Sequence, residues 1–301
     1  MSENGDGLIP KERLIRRIGS AYEGKAAEIV NVLRGLDPSH FDLTAQAVAM
    51  HHVREIVAGL DAEAGAWAES SIKSAYDEGK AVARVKLNAI GARRSGKYDP
   101  ARHDRAIAGV VKSASRDYQK ANQTIVGVAG KYMAALTYAR KKVDSYHEEV
   151  DLQAFTSAEA RVLIDELIEQ ATEEHTPALS VGRMIMDRLI GLLNGADIIN
   201  INGRNYDLRS YSEMVARTRM REAQTEATKE LCKEYGNDLV QFSDHDNACD
   251  ECAQYEGVIF SLSGESTEYD VLPDEAEPPV HPNCEHNLNP VSENEIAARE
   301  S

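Results

Sequence analysis

The sequence predicts a mainly α protein, an elongated helical bundle followed by a small α+β module. Two observations carry this. Through the first two thirds, apolar residues recur at three- and four-residue steps, the spacing of one helical face. At "ADIININGRNYDL", residues 196 to 208, short β-prone runs replace that pattern around Asn202-Gly203, a dipeptide suited to a type I′ hairpin turn. The expected division is 1–195 and 196–301.

The elements follow in order. Leu14, Ile18, Tyr22, Ile29 and Leu33 share one face of a first helix, and Asp37-Pro38 breaks the run. Val48, His52, Ile56 and Leu60 form a second stripe, and Ile72, Tyr76, Val82 and Val85 suggest a third helix that leads into the "GARRSGKYDP" loop. Asp99 before Pro100 has the form of an N-cap followed by proline at the first helical position, opening a segment to about 122. The alanine-rich stretch 123 to 149 keeps helical character. Thr156 with Glu159 fits a capping box, Thr176-Pro177 opens another helix, and Asn194-Gly195 closes it. After the hairpin, Ser210 and Glu213 suggest a second capping box for a long helix that ends at Gly236. "DLVQFS", 238 to 243, and "GVIFSL", 257 to 262, read as short strands. His51, His52 and His103 lie on helical stripes and read as surface or core residues rather than ligands.

Charge is polarised along the chain, whose net charge is -16. Residues 241 to 301 hold fifteen Asp and Glu against Arg299, while residues 80 to 142 hold fifteen Lys and Arg against Asp99, Asp104 and Asp117. The basic middle suits phosphates or an acidic partner surface, or simply solvated helix faces. The acidic end argues against that end gripping DNA. No run of eighteen apolar residues is present, and "MSENGDGLIPKERLIRR" lacks the apolar core of a signal peptide. The expected setting is therefore intracellular, with reduced thiols.

Three of the four cysteines fall in "NACDEC", 247 to 252, and "PPVHPNCEH", 278 to 286. Cys249 and Cys252 have the Cys-x-x-Cys spacing that points two thiolates at one ion, and His281 with Cys284 can complete a tetrahedral zinc site. Four protein ligands leave no open position, so the ion would be structural and the module zinc-stabilised. His286 is the alternative ligand, and His245 also competes for the fourth position. The competing reading is a disulfide between Cys249 and Cys252, or two bridges that include Cys232. Reducing surroundings disfavour both, and Cys232, far from the cluster in sequence, reads as a buried thiol.

The stretch 211 to 264 together with "PPVHPNCEHNLNPV" resembles the phage minor capsid protein 2 family, related to the Mu F-like minor head proteins. The shared features are Arg217-Thr218, the run Gly236 to Val240, Ser243 to His245, the cysteine pair, Gly257 and the closing His-Pro-Asn-Cys. The resemblance implies a structural component of a tailed-phage or prophage virion. It would be made in the bacterial cytoplasm and sit inside the head near the portal vertex. Its partners would be the portal protein and other head proteins, and it would assist head assembly or DNA ejection. Residues 80–142 are the candidate contact for packaged DNA. The chain departs from the Mu F-like pattern at Glu285 and His286, where a second cysteine is usual. Arg219 and Met220 also replace the usual residues after Arg-Thr.

Arg217, Thr218 and Arg221 could form a phosphate- or partner-binding face, but salt bridges to Asp244 or Asp246 are the preferred reading. No catalytic residues are assigned. A zinc deaminase needs His-x-Glu ahead of Pro-Cys-x-x-Cys, which this chain lacks. No phosphate-cradling glycine loop or nucleophile–base pair is evident. The remaining alternative is a zinc-supported nucleic-acid-binding protein or an HNH-like nuclease that uses His281, His286 and Asn287.

Overall fold

The computed structural model describes residues 10–36, 42–96, 98–144, 199–201 and 204–300. The elements are α1 (Pro10–Arg34), α2 (Leu43–Ala89), α3 (Pro100–Asp144), β1 (Ile199–Ile201), β2 (Arg204–Tyr206), α4 (Leu208–Tyr235), β3 (Leu239–Phe242), α5 (Asp250–Ala253), β4 (Ile259–Ser261), a 3-10 turn (Asp274–Ala276), β5 (Leu288–Pro290) and α6 (Glu293–Glu300). The described chain is mainly helical with a small C-terminal sheet region. The expected boundary near 196 and the helices proposed around Thr156–Glu159 and Thr176-Pro177 lie outside the described residues.

The chain forms two compact units that are not consecutive in sequence. One comprises Met1–Ile18, Ala64–Asp117 and Glu213–Ser301, the other Gly19–Glu63 and Tyr118–Ser212.

In α1 the face Ile15, Ile18, Tyr22, Ile29 and Leu33 is buried, close to the expected stripe. The second and third expected helices are one uninterrupted helix, α2, of 47 residues. Leu60 is buried as expected, but Ala49, Val53 and Val57 are buried in place of Val48, His52 and Ile56, and Val48 is 51% exposed. Further along, Ile72 and Tyr76 are buried as expected, but Val82 and Val85 are exposed and Ala83 and Leu87 take their place. Alanine carries little weight in a hydrophobic stripe, yet here its small side chain lets helices approach. At Gly79 the backbones are so close that an added Cβ would lie 2.6 Å from Gln224 Cα and 2.8 Å from the Gln224 carbonyl oxygen. Gly79→Ala should therefore destabilise the protein by about 2 kcal/mol despite the better helix propensity of alanine. Thermal denaturation would show it, and an unchanged melting temperature would contradict the close packing of α2 on α4.

The cap of α3 is as expected: Asp99 Oδ1 accepts from the Ala101 amide at 3.0 Å, and Pro100 is the first helical residue. The expected capping box of α4 is not formed. Asp207 caps instead, accepting from the Ser210 amide and the Ser210 hydroxyl, both at 2.7 Å, and Glu213 pairs with Arg217 at 3.1 Å. Burial works to raise the Asp207 carboxyl, but its bonds to Ser210 outweigh that and hold it below the usual carboxylate range. A carboxyl held low in the folded chain binds fewer protons there than when unfolded. Its contribution is thus present at neutral pH and lost as pH falls below about 4. Asp207→Ala should cost about 1 kcal/mol at pH 7 and much less at acid pH, measured by denaturant unfolding at both.

At its other end α4 closes as a Schellman motif. Gly236 takes φ 64°, its amide reaches the Lys233 carbonyl at 3.4 Å, and the Asn237 amide reaches the Cys232 carbonyl at 3.0 Å. The loop before α3 ties onto the same end: the amides of Ser95 and Gly96 donate to the Glu234 carbonyl at 3.2 and 2.8 Å.

The strands β1 and β2 pair antiparallel with Ile201 opposite Arg204, the register of a two-residue hairpin. The second sheet has the order β4-β3-β5, both pairs antiparallel. The strand β5 had no clear signal in "NLNP". At a sheet edge Pro290 removes no needed donor, so the strand forms there. Beneath this sheet Phe242, Phe260, Leu288, Val240, Ala276 and Cys232 pack with Ala83 and Leu87 of α2 and Leu231 of α4.

The other unit is held by a tilted pair of rings, Tyr22 and Tyr118, with centroids 5.6 Å apart. Asn122 also donates to Asp61 at 2.6 Å, and Arg209 pairs with Glu23 at 2.7 Å.

Candidate metal centre

Sheet register brings the two cysteine-bearing loops together. The strand β3 ends at Phe242 and leads to the Cys249/Cys252 loop, and Phe242 lies opposite Leu288, the first residue of β5, which follows the His281–His286 loop. Both loops therefore leave the same end of the sheet.

Each loop has a local reason for its shape. Cys249 sits in extended conformation just before α5, and the amides of Cys252 and Ala253 donate to its carbonyl at 3.0 and 2.8 Å. This one-turn helix turns the two thiols the same way. In the second loop the Cys284 amide donates to the His281 carbonyl at 3.1 Å, with Pro282 and Asn283 as central turn residues. Asn283 has φ 63°, a left-handed conformation that asparagine tolerates better than most residues, so His-Pro-Asn-Cys is a tight turn built by its own composition.

The thiols and imidazoles converge. Cys249 Sγ and Cys252 Sγ lie 3.1 and 3.2 Å from His281 Nε2. Cys252 Sγ is 3.8 Å from Cys284 Sγ, and Cys284 Sγ is 3.7 Å from His286 Nδ1. Cys249, Cys252 and His281 form one group able to hold an ion, and Cys252, Cys284 and His286 a second. Cys252 belongs to both.

The donor set fits zinc. Zn–S bonds of about 2.3 Å in a tetrahedron put two sulfurs about 3.8 Å apart, the Cys252–Cys284 spacing found here. All four cysteines are free thiols, so neither disulfide pairing is formed. Both histidines also have their second nitrogen fixed. His281 Nδ1 donates to the Pro282 carbonyl at 2.9 Å, leaving Nε2 bare toward the thiols. His286 Nε2 donates to Glu256 Oε1 at 2.9 Å, leaving Nδ1 bare toward Cys284. Metal-binding histidines are typically oriented by such outer hydrogen bonds. Glu256 was not singled out in the sequence; its position at the end of the Cys-pair loop is its only signal. His245 is in neither group and pairs with Glu285 at 2.7 Å.

Burial, and then the neighbouring Cys284, push the Cys252 thiol well above its ordinary value. Cys232 stands apart: it is fully buried beside the sheet, and burial pushes its thiol up to about 12, so it is an inert core thiol.

Residues 191–298 match the model of a family described as phage minor capsid protein 2. This stretch is similar to that family. The matched region spans β1, β2, α4, the three-stranded sheet and both cysteine loops. Comparison with curated proteins and with solved structures gave no match. No described helix is long and apolar enough to cross a membrane.

The expected pairing of Arg217 and Arg221 with Asp244 or Asp246 is not what forms. Arg217 pairs with Glu213 on its own helix, and Arg221 donates to Asn287 Oδ1. Thr218 accepts weakly from the Asn283 amide at 3.4 Å, and Arg219 pairs with Asp117 at 2.7 Å. The α4 face therefore serves as a seat for the second cysteine loop. Acidic charge from the C-terminal loops is met elsewhere on α4, where Lys229 holds Glu277 at 2.7 Å.

Proposed function

We propose that the chain is a structural, non-enzymatic minor capsid protein of a tailed-phage or prophage head, associated with the portal vertex and assisting head assembly or DNA ejection. The family match over residues 191–298 carries this reading. In it, residues 1–195 supply helical surface for the portal and other head proteins. Residues 196–301 form a module stabilised by one structural zinc ion. Cys249, Cys252, Cys284 and His281 would hold the ion, with His286 as the alternative fourth ligand. The ion would neutralise crowded thiolates and tie the two loops to one end of the sheet, replacing core that a small module lacks.

The nuclease reading has less support. The bare nitrogens of His281 and His286 face thiols, and Asn287 Oδ1 accepts from Arg221, so these three residues are engaged within the fold. Particles assembled with a tagged copy of the chain test the virion role. Mass spectrometry should find the protein in purified heads, cross-linked to the portal. Heads that lack it would contradict the assignment.

One observation bears on DNA. Arg94 and Arg102, from the basic middle, are committed to Glu234 and Glu230, at 2.9 and 3.0 Å. Lys112 and Arg116, by contrast, are exposed on α3. If they touch packaged DNA, duplex binding by the full chain should weaken with salt, and Lys112→Gln with Arg116→Gln should lower the log–log salt slope by about 2. An unchanged slope would remove these residues from a DNA role.

A further inference from the structure

Arg221, on the α4 face that seats the second cysteine loop, pairs with no carboxylate among the described residues. Its Nη1 donates to Asn287 Oδ1, and its Nε is buried with no acceptor among the described residues. Asn287 is itself held rigidly. Its amide donates to the Ser243 hydroxyl and its carbonyl accepts from the Ser243 amide, both at 2.9 Å. The guanidinium is thus pinned three residues along the chain from Cys284.

Burial works against the charge on Arg221, whereas Cys284, Glu285 and Glu78 favour it. Lys11, at the start of α1, is drawn to the same place. Burial and then Arg221 lower it to about 8, opposed by Glu78, Glu12 and Glu285. Glu78 and Glu285 act on both cations, and Cys284 adds a metal-site sulfur to the negative charge around Arg221. A zinc ion with three thiolates and one neutral imidazole carries a formal charge of about -1. Loading it at neutral pH exchanges three thiol protons for one divalent cation, so positive surroundings favour the loaded state.

We propose that Arg221 is the outer-sphere cation of the metal centre: it offsets the net negative charge of the three-thiolate site and, through Asn287, fixes the loop that presents Cys284 and His286. This rests on the zinc reading given above. Arg221 is a positioning and charge-balancing residue, not a ligand.

The test uses the full chain loaded with zinc and a chromophoric chelator as competitor, with folding followed by circular dichroism. Arg221→Gln should give up zinc about tenfold more readily than wild type, the usual scale for loss of an outer partner. Arg221→Lys should stay near wild type. Adding Glu285→Gln to Arg221→Gln should recover part of the loss, which a purely packing role would not produce. Equal retention by wild type and Arg221→Gln overturns the proposal and leaves the zinc reading intact. A wild-type chain that never holds zinc overturns both. If Arg221→Gln does not fold, Glu285→Gln alone decides: tighter zinc retention supports charge balance, and unchanged retention overturns it.

Discussion

Cys252→Ser should remove zinc from the chain and unfold the sheet region, a larger effect than any other single cysteine replacement. Cys252 is the sulfur common to both ligand groups and is fully buried against the core beneath β3 and β4. Its loss leaves neither group with three donors, and it puts a hydroxyl into an apolar site. Losing a structural metal belongs with the few changes that cost more than about 4 kcal/mol. The expected result is zinc-free protein with a melting transition lowered or lost, seen by elemental analysis and thermal denaturation together. Cys249, which is exposed, should give a milder version when changed to serine. Cys232→Ala should keep its zinc and lose only the packing of a small core side chain. If Cys252→Ser kept both metal and stability, the shared-ligand geometry would be wrong.

Glu234→Ala should also destabilise the chain strongly, for a reason unrelated to metal. Glu234 Oε1 accepts from His103 Nε2 at 2.7 Å, and its Oε2 pairs with Arg94 at 2.9 Å. Since the carboxylate can only accept, His103 Nε2 carries the proton, and Nδ1 receives the Tyr76 hydroxyl at 2.7 Å. Tyr98 stacks beside this chain, with the Arg94 guanidinium over its ring at 5.0 Å. His103 and Glu234 are 5% and 6% exposed, so water does not replace a lost partner. Removing the carboxylate leaves the buried His103 Nε2–H without an acceptor and breaks the Arg94 pair, a cost of about 2–3 kcal/mol. The expected result is a large fall in the denaturant midpoint and faster hydrogen exchange in the loop before α3, whose Ser95 and Gly96 amides rest on the end of α4. A change below about 1 kcal/mol would show that solvent reaches the pair.

The helices and the metal loops were legible in the sequence for different reasons. Proline and asparagine chemistry at Asp99-Pro100 and His281-Pro282-Asn283-Cys284 acts locally, so it could be read residue by residue. The face of α2 could not be phased from Val48 and Ile56, because alanines such as Ala49, Ala64 and Ala83 hold buried positions and carry little weight in a hydrophobic stripe. Ser210 and Glu213 matched a capping pattern, but Asp207 lies three residues earlier and binds both the amide and the hydroxyl of Ser210, so the helix starts sooner. The strand β5 has no propensity signal of its own and is set by its pairing to β3. That pairing is also what brings Cys284 and His286 to Cys252, a long-range consequence that spacing within either loop does not contain. The metal-ligand candidates were therefore visible as two half-sites, whereas the supporting roles of Glu256, Asn287 and Arg221 required the sheet.

The most direct test of a zinc-stabilised module is the metal content of the purified full-length chain, measured by elemental analysis alongside Cys252→Ser. The account predicts one zinc per wild-type chain and none in the variant, with loss of the sheet region's cooperative unfolding. A folded wild-type chain without zinc, or a metal that can be stripped without any loss of stability, would contradict it.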